Sequence, residues 1–456
     1  MIYDILVLGA GPGGYVAAIK AAQLGAKVAI IEKEKVGGIC LNHGCIPTKT
    51  LLKSAKVFQT VQKADTFGVI VDGKVSVDLE AMVARKNRVV TQLTSGVAYL
   101  LKKNNVDVIN GYGEVLSAHQ VQVGTTVYET KKLIIATGGS PVVPPIEGVK
   151  EGFDKGYVVT SREMLTVTKQ PKNLVIVGGG VIGVEFATIF ASIGTKVSII
   201  EMMPTILPMI DEDITKAYTK SLRELGVDVI TGAQVVAVNE SYVKYKLNDA
   251  TNTVTSDLVL LAVGTKANSG GLEKLKLEMN RANIVTDEYL RTSVRDVYAI
   301  GDVNGKYMLA HVASHEAIIA ASHALGKPTI AMDYQKVPQA IYGSPEIASV
   351  GLTEKEVKEK KIDYKVSTFP LSASGKALAD AEKEGFVKLI VDKKHNELLG
   401  AHIYAYHATE LISELVLGLN LEVTAEELAA SIHPHPSLSE IIMEASLGAE
   451  HKAIHI

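Results

Sequence analysis

One supersecondary pattern occurs twice in this chain, and that repetition limits the fold more than any other feature. Residues 3–32, YDILVLGAGPGGYVAAIKAAQLGAKVAIIE, run apolar strand, glycine-rich turn, helix, strand, and residues 172–201, KNLVIVGGGVIGVEFATIFASIGTKVSIIE, run the same way. Each turn reads G-x-G-x-x-G, with Gly9, Gly11 and Gly14 in the first and Gly178, Gly180 and Gly183 in the second. In such a unit one glycine turns the chain tightly, the next lets backbone approach a pyrophosphate, and the third packs helix against strand. The helix that follows, opened in the second unit by Val181 and Ile182, presents free N–H groups and a partial positive charge to phosphates. A lone G-x-G-x-x-G is weak, because glycine-rich turns are common. Here each one follows an apolar strand, opens a helix and precedes an acidic residue ending the next strand. The interval Gly9–Glu32 equals the interval Gly178–Glu201, 23 residues. A carboxylate at that point accepts from ribose hydroxyls and repels a 2′-phosphate. Glu201 is followed by Met202 and Met203, without arginine, which favours NAD over NADP. A solvated strand end is the plain alternative for either glutamate, and the full context outweighs it.

Two dinucleotide units in one chain suggest electron traffic between two cofactors, one a mobile nicotinamide and the other a resident flavin. Further apolar strands end in glycine: KKLIIATGG (131–139), DLVLLAVG (257–264) and DVYAIGD (296–302). Strand C-termini of doubly wound sheets are where ligands are met. Asp302 could accept from a ribityl or ribose hydroxyl, although an isolated Gly-Asp is more often a turn.

The chain has only two cysteines among 456 residues, and they stand five apart in GGICLNHGCIPTK. That is too few for a stabilising disulfide framework. Neighbouring core residues are one reading. Structural zinc is another, but it wants four N/S ligands and only His43 lies nearby. A redox dithiol fits best, since a short loop makes closure cheap and reversible. Its position just after the first unit assigns the flavin to the first fingerprint.

Length predicts about three domains. The net charge of −3 and the lack of a Lys/Arg block give no footprint for nucleic acid. MIYDILVLG leads straight into a strand without signal-peptide features, and no apolar run approaches the roughly 18–20 residues of a membrane helix. The expectation is a cytoplasmic protein with no membrane and no nucleic-acid partner, and no metal.

GGICLNHGCIPTK, the two fingerprints, ATGGSP, YAIGD with MLAH (308–311), and HPHPSLSE (433–440) occur in the order seen in pyridine nucleotide–disulfide oxidoreductases, which the chain resembles from Met1 to about Ala453. Within that family it looks most like the dihydrolipoamide dehydrogenases, in GGYVAAIKAAQLG and the C-terminal KAIHI. The resemblance implies an α/β fold: two Rossmann-like dinucleotide-binding domains, for FAD and NAD, plus a C-terminal α+β dimerisation domain. The implied boundaries are 1–145 (first part of the FAD domain), 146–266 (NAD domain), 267–335 (central segment completing the FAD site) and 336–456 (interface domain). From about 336 the residues themselves show strand and helix patterns but no glycine fingerprint. ELISELVLGLN (410–420) and TAEELAASI (424–432) carry apolar residues at helical spacing, as core helices or a dimer face.

The resemblance also implies roles. Cys40 is similar to the interchange thiol that meets a dithiol substrate, and Cys45 to the thiol against the flavin. Lys49 and Glu185 resemble an ion pair near the flavin. His435 resembles the general base and Glu440 the carboxylate orienting it, reaching the disulfide from the other subunit of a homodimer. Histidine titrates near working pH, and a carboxylate behind it fixes its tautomer. Spacing alone does not separate His433 from His435; the family's H-P-[ST]-x-x-E pattern selects His435. Residues implied at the FAD site are Gly9, Gly11, Gly14, Glu32, Lys49, Gly113, Thr137, Gly138, Gly139, Asp302, Met308, Leu309, Ala310 and His311. Those implied at the NAD site are Gly178, Gly180, Val181, Ile182, Gly183, Glu185, Glu201, Val235 and Gly264. The implied reaction oxidises dihydrolipoamide carried on a lipoyl-bearing acyltransferase or carrier protein of a multienzyme complex.

Two departures stand out. GTKAN (264–268) replaces the family's frequent G-R-x-P-N, with Thr265 for Arg and Ala267 for Pro, and AYHATE (405–410) replaces a Gly-Pro turn. A glutathione-type reductase would need cations for a 2′-phosphate, which Glu201 opposes. A mercuric reductase would want a C-terminal cysteine pair, and no Cys follows Cys45. A purely structural subunit would not need the dithiol.

Overall fold

A computed structural model describes residues 2–455; Met1 and Ile456, the ends of MIYDILVLG and KAIHI, lie outside the described residues. The strands build three main sheets. In the first, Asp107–Asn110, Val28–Glu32, Ile2–Leu8 and Thr126–Ile135 lie parallel in that order, and Val297–Ala299 also pairs in parallel with Thr126–Ile135. An antiparallel meander of Gln120–Val123 and Gly113–Ser117 extends it. The second sheet is parallel throughout, in the order Asp228–Ile230, Lys196–Ile200, Asn173–Val177, Leu258–Leu261, Val158–Thr160. Val28–Glu32 and Leu258–Leu261 are buried at every position, which is why these strands read as unbroken apolar runs rather than alternating ones.

Both repeated units fold alike. Gly9 N–H closes onto Ile31 O at 2.8 Å and Gly178 N–H onto Ile200 O at 2.9 Å, and the helices Pro12–Gln23 and Val181–Ser192 follow. The chain passes between the two sheets through a small ribbon. Gly139–Pro141 runs out and Thr265–Ala267 runs back antiparallel, with Gly139 opposite Ala267 and Pro141 opposite Thr265. A separate antiparallel sheet of Gln234–Val238, Tyr242–Leu247 and Ala250–Thr255 packs beside the second unit.

The third main sheet is antiparallel: Gln339–Ile341, Glu346–Gly351, Leu398–Ala405, Phe386–Asp392, Tyr364–Pro370. Helix Ala408–Asn420 buries Ile412, Leu415 and Leu419 in the core of this sheet, yet leaves Leu417 exposed, as are Leu421 and Ile432 further on. The apolar spacing of 410–420 therefore serves a core stripe and leaves apolar surface as well. The shorter TAEELAASI helix spans Ala425–Ala430, started by a capping box between Thr424 and Glu427. His407, in the departure from the Gly-Pro turn, takes a left-handed φ of 62° at the N-cap of Ala408–Asn420. This is the α/β architecture with an α+β C-terminal part that the sequence led us to expect. Among the described residues, no helix is long and apolar enough to cross a membrane, and no group of His, Cys, Asp and Glu could hold a metal ion.

Candidate active site

The two glycine turns have the same steric logic, residue by residue. Gly9 and Gly178 sit at φ +102° and +109°, where only glycine is unstrained. A methyl on Gly14 would stand 1.8 Å from Gly9 O, and one on Gly183 2.1 Å from Gly178 O, so the third glycine is a packing requirement. The middle glycines differ. Nothing lies within 4 Å of a methyl built on Gly180, and only Gly38 Cα, at 3.8 Å, meets one on Gly11. Open space in front of a helix N-terminus is what a pyrophosphate needs, so both turns fit the dinucleotides expected of them.

Both fingerprint glutamates carry a task the sequence reading did not include. Glu32 accepts from the N–H groups of Ala10 and Glu34, each at 2.8 Å, and Glu201 from those of Gly179 at 2.6 Å and Met203 at 2.7 Å. Each carboxylate thus ties its strand end to its glycine turn.

The dithiol segment is built directly onto the first turn. Gly37 N–H donates to Ala10 O at 2.7 Å, and a methyl on Gly38 would lie 2.5 Å from Gly11 Cα. Cys40 lies in the short helix Gly38–His43, and Cys45 is the first residue of the 18-residue helix Cys45–Gln62. Both are free thiols. Their environments push them apart. Cys45 is held below the ordinary thiol range by the hydrogen bond from Cys40, with burial opposing and the Lys49 ammonium reinforcing the shift. Its place at a helix N-terminus favours the thiolate further. Cys40 is pushed up by the same hydrogen bond and by burial.

Lys49 stands one helical turn after Cys45. Its Nζ lies 2.7 Å from both oxygens of Glu185, which comes from the helix Val181–Ser192 of the second unit. Glu185 is buried, and it also accepts from Tyr342 N–H at 3.0 Å. The predicted pair is therefore formed, and it joins three parts of the chain.

Two of the glycine-ended strands, 131–139 and 296–302, belong to the first sheet, while the third, 257–264, ends the second sheet and leads into the ribbon. Thr137 Oγ1 donates to Asn268 O at 2.7 Å, and Asn268 returns a bond to Thr137 O at 3.0 Å, fixing the loop of Gly138 and Gly139 against GTKAN. Ala267, in place of proline, is buried in the core beneath this sheet, while Gly264 opens onto free space at φ +111°. Gly113 packs over Leu8 and Ile31, close to the first turn, and Val235 lies buried in its strand with Val177 and Ile200. Asp302 is pushed up by burial, and no side chain among the described residues bonds to its carboxyl, so it is free to meet a ligand hydroxyl. Met308 and Leu309 precede the helix Ala310–Ala324, and His311 bonds Pro338 O at 2.9 Å.

Sequence reasoning missed Glu316. This wholly buried carboxylate of the helix Ala310–Ala324 accepts from Gly301 N–H at 2.6 Å, Asn304 Nδ2 at 2.9 Å and the Tyr334 hydroxyl at 2.5 Å. It fixes the turn that carries Asp302. The one carboxylate in AHVASHEAIIAASHA, a helix otherwise of small, apolar and histidine residues, was the available signal.

The His435–Glu440 pair is formed within HPHPSLSE. His435 Nδ1 lies 2.9 Å from Glu440 Oε1, and Glu440 Oε2 accepts from Ser437 N–H at 2.8 Å. That backbone bond, then His435, holds the Glu440 carboxyl below its usual range. His433 also has a carboxylate, Glu414 at 2.9 Å, but its side chain is 6% exposed against 79% for His435. Exposure, not pairing, distinguishes them. No hydrogen bond among the described residues joins His435 to the dithiol segment of its own chain.

Two nucleotide-binding units, a thiol pair placed on the first of them and a separate dimerisation-type sheet define a flavoprotein disulfide reductase. The pyridine nucleotide-disulphide oxidoreductase family matches residues 3–317, and its dimerisation domain matches 337–446. The chain belongs to that family. It is similar to the dihydrolipoyl dehydrogenase of Acholeplasma laidlawii, with 61% identity over 332 residues covering 73% of this chain and 99% of that protein. The dihydrolipoyl dehydrogenase of Bacillus subtilis is 43% identical over 475 residues, 99% of each chain. Among solved structures, the Cu(II) complex of the HOCl-induced flavoprotein disulfide reductase RclA from Escherichia coli matches with a TM-score of 0.88 and 31% identity, covering 98% of this chain and 99% of that one.

Proposed function

We propose that the chain is a dihydrolipoyl dehydrogenase, oxidising protein-bound dihydrolipoamide to lipoamide with NAD as acceptor, FAD as resident cofactor and Cys40 and Cys45 as the exchanging thiols. The observation that carries this reading is the asymmetry of the two thiols. In the oxidised enzyme His435 takes the proton of one substrate thiol, whose thiolate attacks Cys40 Sγ; the Cys40–Cys45 bond breaks, and Cys45 departs as thiolate. The sulfur with the lower pKa leaves faster, and Cys45 is that sulfur, lowered by its hydrogen bond from Cys40, by Lys49 and by its helix N-terminus. The second substrate thiol then displaces Cys40 from the mixed disulfide, its proton passing to the departing Cys40 sulfur, and releases lipoamide. Glu440 fixes the His435 tautomer and balances the imidazolium. Bound FAD supplies the path by which the electron pair of the dithiol reaches NAD.

Gly9, Gly11, Gly14, Glu32 and Asp302 would hold FAD, and Gly178, Gly180, Gly183 and Glu201 would hold NAD. We assign 1–145 and 267–335 to the FAD domain, 146–266 to the NAD domain and 336–456 to the interface domain; the 139–141 and 265–267 ribbon supports that division. A homodimer agrees with the match to a dimerisation domain and with the exposed His435, which then serves the partner's dithiol. The substrate arrives on a lipoyl-bearing acyltransferase or carrier protein, in the cytoplasm.

The test is steady-state turnover of purified protein with free dihydrolipoamide and NAD. Turnover is expected, and Cys40→Ser is expected to abolish it. Equal kcat/KM with reduced glutathione, or turnover in Cys40→Ser, would overturn the reading.

A further inference from the structure

The helix Cys45–Gln62 meets the third sheet through two aromatic–lysine contacts on one of its faces. Lys49 Nζ lies 4.5 Å from the centre of the Tyr342 ring, and Lys56 Nζ 4.7 Å from that of Tyr406. The lysines are seven residues apart, two helical turns, or about 10.5 Å of rise. The tyrosines leave the same edge of the sheet. Ile341 pairs with Ile347, and Ile347 with Tyr404, so Tyr342 and Tyr406 follow strands separated by one intervening strand, about 9.5 Å apart. Strand spacing and helix rise match, and the sheet grips the helix at two points.

The two points are not equivalent. At the far one, Lys56 has only a long contact to Glu382, 3.6 Å. At the near one, Tyr342 holds both members of an ion pair: its ring takes the Lys49 ammonium, and its N–H donates to Glu185 at 3.0 Å. Burial pushes the phenol up, so the ring stays a neutral partner. The charged groups around it are Lys49, Glu185 and Glu346, the last engaged by Thr409 at 2.8 Å. Those around the Cys45 thiol are Cys40, Lys49 and Glu185, with opposite effects from Lys49 and Glu185.

We infer that Tyr342 is a positioning residue: by holding Lys49 with its ring and Glu185 with its N–H, this interface-domain residue fixes how much cationic charge the Cys45 sulfur meets. Attraction of an ammonium to a partly desolvated aromatic face is large enough to move a neighbouring titration. The inference rests on the proposed role of Cys45 as the low-pKa thiol.

The experiment is the pH dependence of iodoacetamide alkylation of Cys45 in the dithiol-reduced, flavin-loaded enzyme, located by mass spectrometry. Wild type is expected to titrate below an ordinary cysteine. Tyr342→Leu is expected to raise the Cys45 pKa by about half a unit to one unit, whereas Tyr342→Phe, which keeps the ring, leaves it in place. Tyr406→Leu removes the matching contact two turns away and should lower the melting temperature without moving the titration. Tyr342→Met, of similar bulk but without a ring, should behave as Tyr342→Leu and serves if the leucine variant does not fold. An unshifted titration in the ringless Tyr342 variants, or equal shifts in Tyr342→Leu and Tyr406→Leu, overturns the inference while leaving the site reading intact. A wild-type Cys45 that titrates at or above the ordinary thiol value overturns both.

Discussion

Lys49 Nζ stands 2.7 Å from each oxygen of Glu185, across 136 positions of sequence, and joins the helix that begins with Cys45 to the helix that follows the second glycine turn. The pair links the two nucleotide units at the thiol. Lys49 lowers the Cys45 thiol and Glu185 raises it, so removing each should move the titration in opposite directions. Lys49→Met is expected to raise the Cys45 pKa by about one unit, and Glu185→Gln to lower it by less. Both should lose lipoamide turnover. Alkylation rate against pH checks the signs, and a shift of the same sign in both variants would exclude a charge effect.

Glu201 is expected to set nucleotide choice and to brace its own turn. The wild-type enzyme should use NAD at a kcat/KM at least about a hundredfold above that for NADP, equivalent to roughly 2.8 kcal/mol of discrimination. Glu201→Ala removes the acceptor of the Gly179 and Met203 N–H groups, so activity with NAD should fall as well as selectivity. Adding an arginine at position 202 in that background should shift preference toward NADP. Steady-state kinetics with both nucleotides decides it.

His435 should act across a subunit boundary. His435→Gln and Cys45→Ser proteins are each expected to be inactive with lipoamide. After subunit exchange at equal amounts, half the dimers are hybrids with one complete site each, so about a quarter of wild-type activity should return. No recovery, with exchange verified by mass spectrometry, would place the base in the same chain as its thiols.

Lys388 ties the second unit to the interface sheet. Its buried ammonium bonds Asp211 at 2.9 Å, Asp213 at 2.6 Å and Glu354 at 2.7 Å. Lys358 and then Lys388 hold Glu354 down to about 2; burial is the largest influence on Asp211 and would raise it, but the Lys388 bond, the charges of His402 and Lys388 and the Glu354 N–H together leave that carboxyl lowered. Carboxyls depressed in the fold stabilise it above their unfolded pKa, and that contribution is lost as pH falls toward the folded value. Lys388→Met should cost about 3–5 kcal/mol near neutral pH, because the buried Asp211 and its neighbour Asp213 lose their cation while Glu354 keeps only Lys358. The deficit should shrink as pH falls from about 4.5 toward 2, where the wild-type advantage is lost. Thermal unfolding followed by circular dichroism at several pH values measures it, and a pH-independent deficit would count against the ionic account.

Local chemistry is what a sequence carries openly. The glycine turns at Gly9–Gly14 and Gly178–Gly183, the parallel apolar strands and the Cys40–Cys45 spacing are legible because each depends on residues a few positions apart, through sterics and backbone hydrogen bonds. The fold class and the pairing of the two thiols on the first unit could therefore be read from the sequence. The departure at Ala267 shows the limit: alone it leaves nucleotide contacts in doubt, whereas in the fold the residue is buried beneath the first sheet.

Tertiary structure alone decided which partners complete those local motifs. Nothing near Glu316 in sequence announces that it fixes the Gly301 turn, and nothing near Lys49 announces the ring of Tyr342. His433 and His435 sit in similar strings with a carboxylate each, and only packing buries one and exposes the other. Such contacts join residues that are distant along the chain, and their geometry is set by how sheets and helices pack. The sequence by itself determined the turns, strands and thiol pair that can bind and react; the packed structure determined the charges those groups meet.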